Sequence, residues 1–259
     1  MGETPDRGGA GGLDRVRAGD IVSLRCASRE AVVADVSPHY VSVRWPWNEV
    51  DPNSFMQWNG LRAIPRTSDA PDWRNEPFRV TSSSEPLERQ DMCEVGIPEM
   101  VAYVVHVAKF SDPLDVGWLP RPRIYVSLVA HGVQISPSAE EIGFTLDPDG
   151  DEQIQAELVY RPYAFLQDGD EVADCEGRVW EYSAPWNWVA FDNGPGEFPL
   201  WPLQLICRDG GQALQAAEVV ARATSSGAHG DEVAYWLESA GIVDLPKLPP
   251  PALSEGLSY

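Results

Sequence analysis

Three aspartates at alternate positions, Asp147, Asp149 and Asp151, come closest in this sequence to the spacing of a metal site. Oxygens at alternate residues are what the first half of a calcium loop supplies. The pattern then fails, because Glu152 stands where such a loop needs glycine and Leu158 where it needs a bidentate glutamate. The run Asp147-Pro148-Asp149-Gly150-Asp151 reads instead as a hydrated turn, and no metal or other cofactor is expected. The cysteines, Cys26, Cys93, Cys175 and Cys207, lie far apart without CxxC spacing and are expected as free thiols. Nucleophilic catalysis needs a base and an orienting group beside the nucleophile. The histidines, His39, His106, His131 and His229, stand in no such frame; His106 and His131 interrupt apolar alternating runs, as packed histidines do. Glycines between 8 and 12 follow no strand, so they lack the setting of a phosphate loop. Carboxylates are so common that abundance singles out no pair for glycosidase-like chemistry, which needs two at a set separation.

Charge is more specific. The formal net charge is −21, yet residues 1–80 hold 10 Arg against 11 Asp and Glu. Residues 140–244 hold 4 basic and 21 acidic side chains, a net of −17. A field of that sign repels nucleic acid and anionic membrane and attracts cationic surfaces. A basic protein is therefore the expected partner, met by an acidic face drawn from Asp147, Asp149, Asp151, Glu152, Asp168, Asp170, Glu171 and Asp174. Solubility alone is the plainer use of such a surface.

The aromatic residues offer a second lead. The chain has 10 Trp, several beside proline, and Tyr40, Trp45, Trp47, Trp186, Trp188 and Trp201 are candidates for an exposed groove. Aromatic grooves grip Pro-rich peptides or cations by stacking and cation–π attraction. Arg44 and Arg62 would be the basic neighbours in the front module. Filling a core is the commoner fate of large rings.

These residues need elements to hold them. Val22, Leu24 and Cys26, then Val32, Ala34 and Val36, then Val41, Val43 and Trp45 alternate with other side chains at period two, which predicts three short strands. Breaks fall at Ala27 to Glu30 and at Ser37-Pro38-His39. Short strands, tight turns and the opening Gly19-Asp20-x-Val22 resemble a small antiparallel barrel of the SH3-like type, a likeness of architecture alone. Alternation returns at Val101 to Val107 and Ile124 to Ala130, and a hairpin is predicted from Ile142 to Tyr160. Gly169-Asp170-x-Val172, Cys175-x-x-Arg178 and Pro185-Trp186-Asn187 repeat the order of Gly19-Asp20-x-Val22, Cys26-x-x-Arg29 and Pro46-Trp47-Asn48. An internal duplication of residues 19–66 and 169–208 follows as a hypothesis, and a shared strand order is its test. Asp209 and Asp231 are placed to cap two helices stopped by Gly227 and Gly241.

The predicted fold class is mainly β: two small antiparallel β modules of SH3-like barrel or sandwich type, with two short C-terminal helices. Residues 1–18 read as a disordered arm, 19–90 as the front module with a linker, 91–245 as the acidic domain and 246–259 as a Pro-rich tail. No apolar run of membrane-spanning length and no secretory leader are visible, so a cytoplasmic protein is expected. A non-catalytic binding or inhibitory protein, immunity-like in its masking of a basic partner, is the function this predicts. The alternatives are a hydrolase using paired carboxylates in a β-scaffold cleft and a peptide or nucleic-acid reader acting through the front barrel.

Overall fold

The computed structural model describes residues 12–83, 86–135, 143–148, 150, 152–192, 194 and 196–246. After a 3-10 turn at Leu13–Arg15 come β1 (Ile21–Val36), β2 (Tyr40–Arg44), β3 (Glu49–Val50), β4 (Leu61–Pro65), β5 (Arg79–Thr81), β6 (Met92–Lys109) and β7 (Trp118–Leu119). There follow β8 (Ile124–Ala130), β9 (Phe144–Leu146), β10 (Gln155–Tyr160), β11 (Glu171–Ala173), β12 (Val179–Ser183), β13 (Asn187–Ala190) and β14 (Gln204–Cys207). Helices α1 (Leu214–Ala223) and α2 (His229–Ala240) close the described chain. The protein is mainly β, as its alternating sequence predicts.

Two long strands, β1 and β6, form the spine. Ala27 to Glu30, expected as a break, lies inside β1, with all four side chains exposed. Register shifts at Leu24/Cys26 and Cys26/Arg29 bend the strand there without ending it. Gly96 on β6 faces that bend, and a Cβ on it would stand 2.9 Å from the Cys26 carbonyl oxygen. Only glycine lets the two strands pass so closely. The sheet runs β4-β2-β1-β6-β8-β9, with β10 on the first half of β1 and β5 on the first half of β6. One core serves all of it, from Trp45, Ile64 and Phe78 to Val126, Phe144 and Leu146. The boundary expected near residue 90 is therefore crossed by the longest ladder in the molecule, β1 with β6.

The expected hairpin between β9 and β10 is replaced by separate pairings, β9 with β8 and β10 with β1; Ile142, Asp149 and Asp151 lie outside the described residues. The Pro-rich tail from Lys247 onward also lies outside them.

A second, four-stranded sheet has the order β13-β12-β11-β14. Its inner face buries Val172, Trp180, Tyr182 and Leu205 against Tyr163, Leu166 and Val220 of α1. The duplication fails its own test here. Cys26-x-x-Arg29 is continuous strand, whereas Cys175 to Arg178 turns the chain from β11 into β12. The closing run also differs, since β14 pairs with the first strand of its copy and β4 with the second. Asp209 does not cap α1; it takes a positive φ of 51°, and Ala213 stands at the helix start. Asp231 sits inside α2 and reaches back to accept the Ala228 N–H at 2.8 Å. Gly241 does end α2, in the left-handed region.

What recurs is local. Arg17 and Gln167 each donate their N–H to the carboxylate of the aspartate three residues on, Asp20 and Asp170, at 2.9 Å. Each aspartate is buried and gripped by two guanidinium nitrogens, of Arg161 and of Arg208, at 2.6–2.8 Å. Each arginine also donates to the carbonyl five residues before its aspartate, Arg15 or Phe165. The first of these devices clamps the paired ends of β1 and β10, where Ile21 faces Tyr160. The arm expected over residues 1–18 is packed from its described part onward, with Leu13 in the main core and Arg17 donating to the carbonyls of Pro162, Tyr163 and Leu166. A Cβ on Gly19 would come within 2.3 Å of Pro185, so the second sheet can dock only on glycine.

Candidate functional site

The acidic residues expected to form one face divide into two sets. Asp170 and Asp174 point inward. Asp174 accepts from the N–H of Glu176 and Arg178 and from the Trp180 indole at 2.9–3.0 Å, and these hydrogen bonds hold its carboxyl below the ordinary range despite burial. Asp168 is exposed but receives the Ala184 N–H at 2.5 Å. Asp147 and Glu152 are half-buried, and the Glu152 carbonyl takes the Cys26 thiol at 2.7 Å. Burial pushes that thiol up to about 11, so Cys26 is an inert core group. Asp149 and Asp151 lie outside the described residues. Of the set, Glu171 alone belongs to an open sheet face.

Glu171 leads to a partner the sequence reading missed. Its cross-strand neighbour is Glu181, and next in the same row stands Val189 of β13. Side chains directly opposite on one face lie about 4.5–5.5 Å apart at Cβ, where like charges repel. Neither glutamate has a cation partner among the described residues, so nothing in the fold relieves that repulsion. Val189 is 62% exposed and Phe191, beside Val179, is 56% exposed. The core lies on the opposite face, under α1. Two uncompensated carboxylates edged by exposed apolar groups thus form an open outer surface. Alternation along β12 could have signalled it, since Trp180 and Tyr182 flank Glu181.

The aromatic groove is not formed. Trp45 and Trp47 are buried with Phe78, their ring centroids 4.7–5.5 Å apart, and Arg62 covers Trp45 at 4.4 Å while pairing with Glu76. Arg44 is exposed, apart from them. Tyr40 donates to Asp72, Trp186 packs on Trp236, Trp188 on Tyr163 and Tyr182, and Trp201 on Phe165. All four are half-buried; Tyr40 belongs to the front half, while Trp186, Trp188 and Trp201 pack around the core of the second sheet.

Two other clusters bear on catalysis. Glu30 and Glu94 are cross-strand neighbours on the wall of a hollow of about 340 Å³. Both stand in open water, without the dry surroundings that acid–base work asks of one member of a pair. Tyr163 hydroxyl bonds His229 Nδ1, and Phe198 stacks on the imidazole at 4.1 Å. Glu232, one turn on, is taken by the Tyr160 hydroxyl and the Tyr163 N–H. Burial holds the imidazole below its ordinary value of 6.5. Below that pH the unfolded chain binds a proton the folded one resists, so stability falls as pH falls. Carboxylates such as Asp174, held below 3.8, lose their contribution only in a lower window. The melting temperature should therefore drop between pH 7 and 5 less steeply in His229→Gln than in the unaltered protein; equal slopes would refute this.

No protein-family model, curated protein or solved structure matches the chain. No helix among the described residues is long and apolar enough to cross a membrane.

Proposed function

We propose that this is a non-catalytic docking protein that binds a basic protein through the outer face of β11, β12 and β13. The Glu171–Glu181 pair supplies charge complementarity, and Val189 and Phe191 supply apolar contact. The observation that carries this reading is the pair itself: two adjacent carboxylates, half-buried Glu171 and exposed Glu181, without a cation among the described residues and in a row that ends in exposed Val189. A cationic side chain placed between them would turn mutual repulsion into attraction. The surrounding segment's charge of −17 steers such a partner and repels nucleic acid. An inhibitor of immunity type, cytoplasmic and masking a basic toxin or nucleic-acid enzyme, is the concrete form. The last-strand-beside-first order of this sheet supports reading it, rather than the front half, as the SH3-like unit.

Charge reversal tests the idea at half-buried Glu171 and exposed Glu181. A basic protein should co-purify with the chain at about 0.1 M salt, leave at about 1 M, and be lost from Glu171→Lys/Glu181→Lys. Retention of the same partner by that variant, with its circular dichroism unchanged, would overturn the reading. Reversal at Asp170 or Asp174 would report on folding instead.

A further inference from the structure

A hollow of about 320 Å³ opens between the segment at residues 73–79 and the end of β8. The Arg79 guanidinium lies in its wall, 4.0 Å from the Trp73 ring centroid. It donates to the carbonyls of Glu76, Phe78 and Trp73. Those carbonyls fix the guanidinium plane but carry no formal charge. Burial lowers the pKa of this arginine, and Glu76 acts on it only from a distance. The Glu76 carboxylate is committed elsewhere, to two nitrogens of Arg62 and to the Phe78 N–H. Arg74 stands on the same rim, exposed and without a hydrogen-bond or ion-pair partner among the described residues.

Exposed arginines without a carboxylate, such as Arg74, are common in this chain, but most half-buried ones hold one. Arg62, Arg121, Arg161, Arg178 and Arg208 each pair with a carboxylate, whereas half-buried Arg79 is hydrogen-bonded to carbonyls alone. His131, Gly132 and Glu76 also line the hollow, and Met100, Ala130 and Val133 give it an apolar floor. A planar, oriented guanidinium beside a second cation suits an oxyanion, and the floor suits a hydrocarbon body. The volume is at the small end of ligand sites.

We infer that this hollow binds a small organic anion, a carboxylate or phosphate monoester, with its oxyanion against Arg79, Arg74 and His131 and its apolar body on Met100 and Val133. The site is separate from the outer face of β11–β13, so either can exist without the other. Calorimetric titration of the full chain at low salt with benzoate, phenyl phosphate and inorganic phosphate tests it. Benzoate or phenyl phosphate should bind saturably below millimolar, and the tighter of the two assigns the head group. Inorganic phosphate, lacking a body, should bind more weakly. Arg79→Met keeps the stem over Trp73 and should weaken binding about tenfold or more. Arg74→Gln and His131→Gln, at exposed positions, should each weaken it about threefold and guard against a folding defect at Arg79. No saturable heat from any probe at about 10 mM, inorganic phosphate matching phenyl phosphate, or unchanged affinity in all three variants would overturn the inference.

Discussion

Asp170→Ala should destabilise the protein by about 3–5 kcal/mol, read as a lowered urea midpoint for the second sheet. The carboxylate is 1% exposed and takes two bonds from Arg208, whose side chain is itself 17% exposed. Removing it leaves a cation with one carbonyl, that of Phe165, and strips the Gln167 N–H of its acceptor. Most of the loss comes from stranding the charge, not from the attraction forgone. A double change, Asp170→Leu with Arg208→Met, should therefore lose only about 1–2 kcal/mol, the share of the orphaned amide. Asp20→Ala should behave like Asp170→Ala, because Asp20 is held by the same set of contacts from Arg161 and Arg17. If the single and double variants at Asp170 and Arg208 lose equally, the stranded-charge account is wrong.

That device was half-legible in the sequence. The repeated Gly-Asp-x-Val could be read, and it marks a real structural unit. The arginines could not be assigned, because Arg161 lies 141 residues from Asp20 and Arg208 lies 38 from Asp170. Strands were visible wherever one face is buried, as at Val22, Leu24 and Cys26 or Val41 and Val43. Their partners were not: alternation places a residue on a face without saying which edge its strand meets. Hence β9 and β10 were expected to pair with each other, and β1 was divided at Ala27 to Glu30, where a bend exposes four side chains in succession.

The candidate site shows the same limit from the side of charge. Composition located the negative half of the chain correctly as sequence, but an aspartate looks alike whether it docks a partner or anchors a turn. Asp170 and Asp174 anchor; Glu171 faces outward. Glu181 could be placed on an outer face by the alternation of Trp180 and Tyr182 about it, but its register opposite Glu171 could not be read. The rings at Trp45 and Trp47 misled for a related reason. Beside proline and arginine they look like a groove, yet Arg62 lies over Trp45 as a lid on the core.

Trp236 is where a loss as large is expected from an aromatic side chain. It is fully buried, packs edge-on against Tyr103 of β6 at 5.3 Å and Trp186 at 4.7 Å, and donates its indole N–H to the Gly19 carbonyl at 2.6 Å. One side chain thus joins α2, the main sheet and the loop before β13. Trp236→Ala should lose about 3–5 kcal/mol through the cavity and the lost transfer of the ring. Trp236→Phe keeps most of the packing but leaves the Gly19 carbonyl buried without that donor, a loss of about 1–3 kcal/mol. Hydrogen exchange separates a joint from an ordinary core residue. In Trp236→Ala, amides of α2 should lose protection ahead of those in the paired stretch of β1 and β6, because the sheet retains its own core around Val22 and Val104. Uniform loss of protection across both, or a stability change under about 1 kcal/mol, would show that the helix is held by something other than this tryptophan.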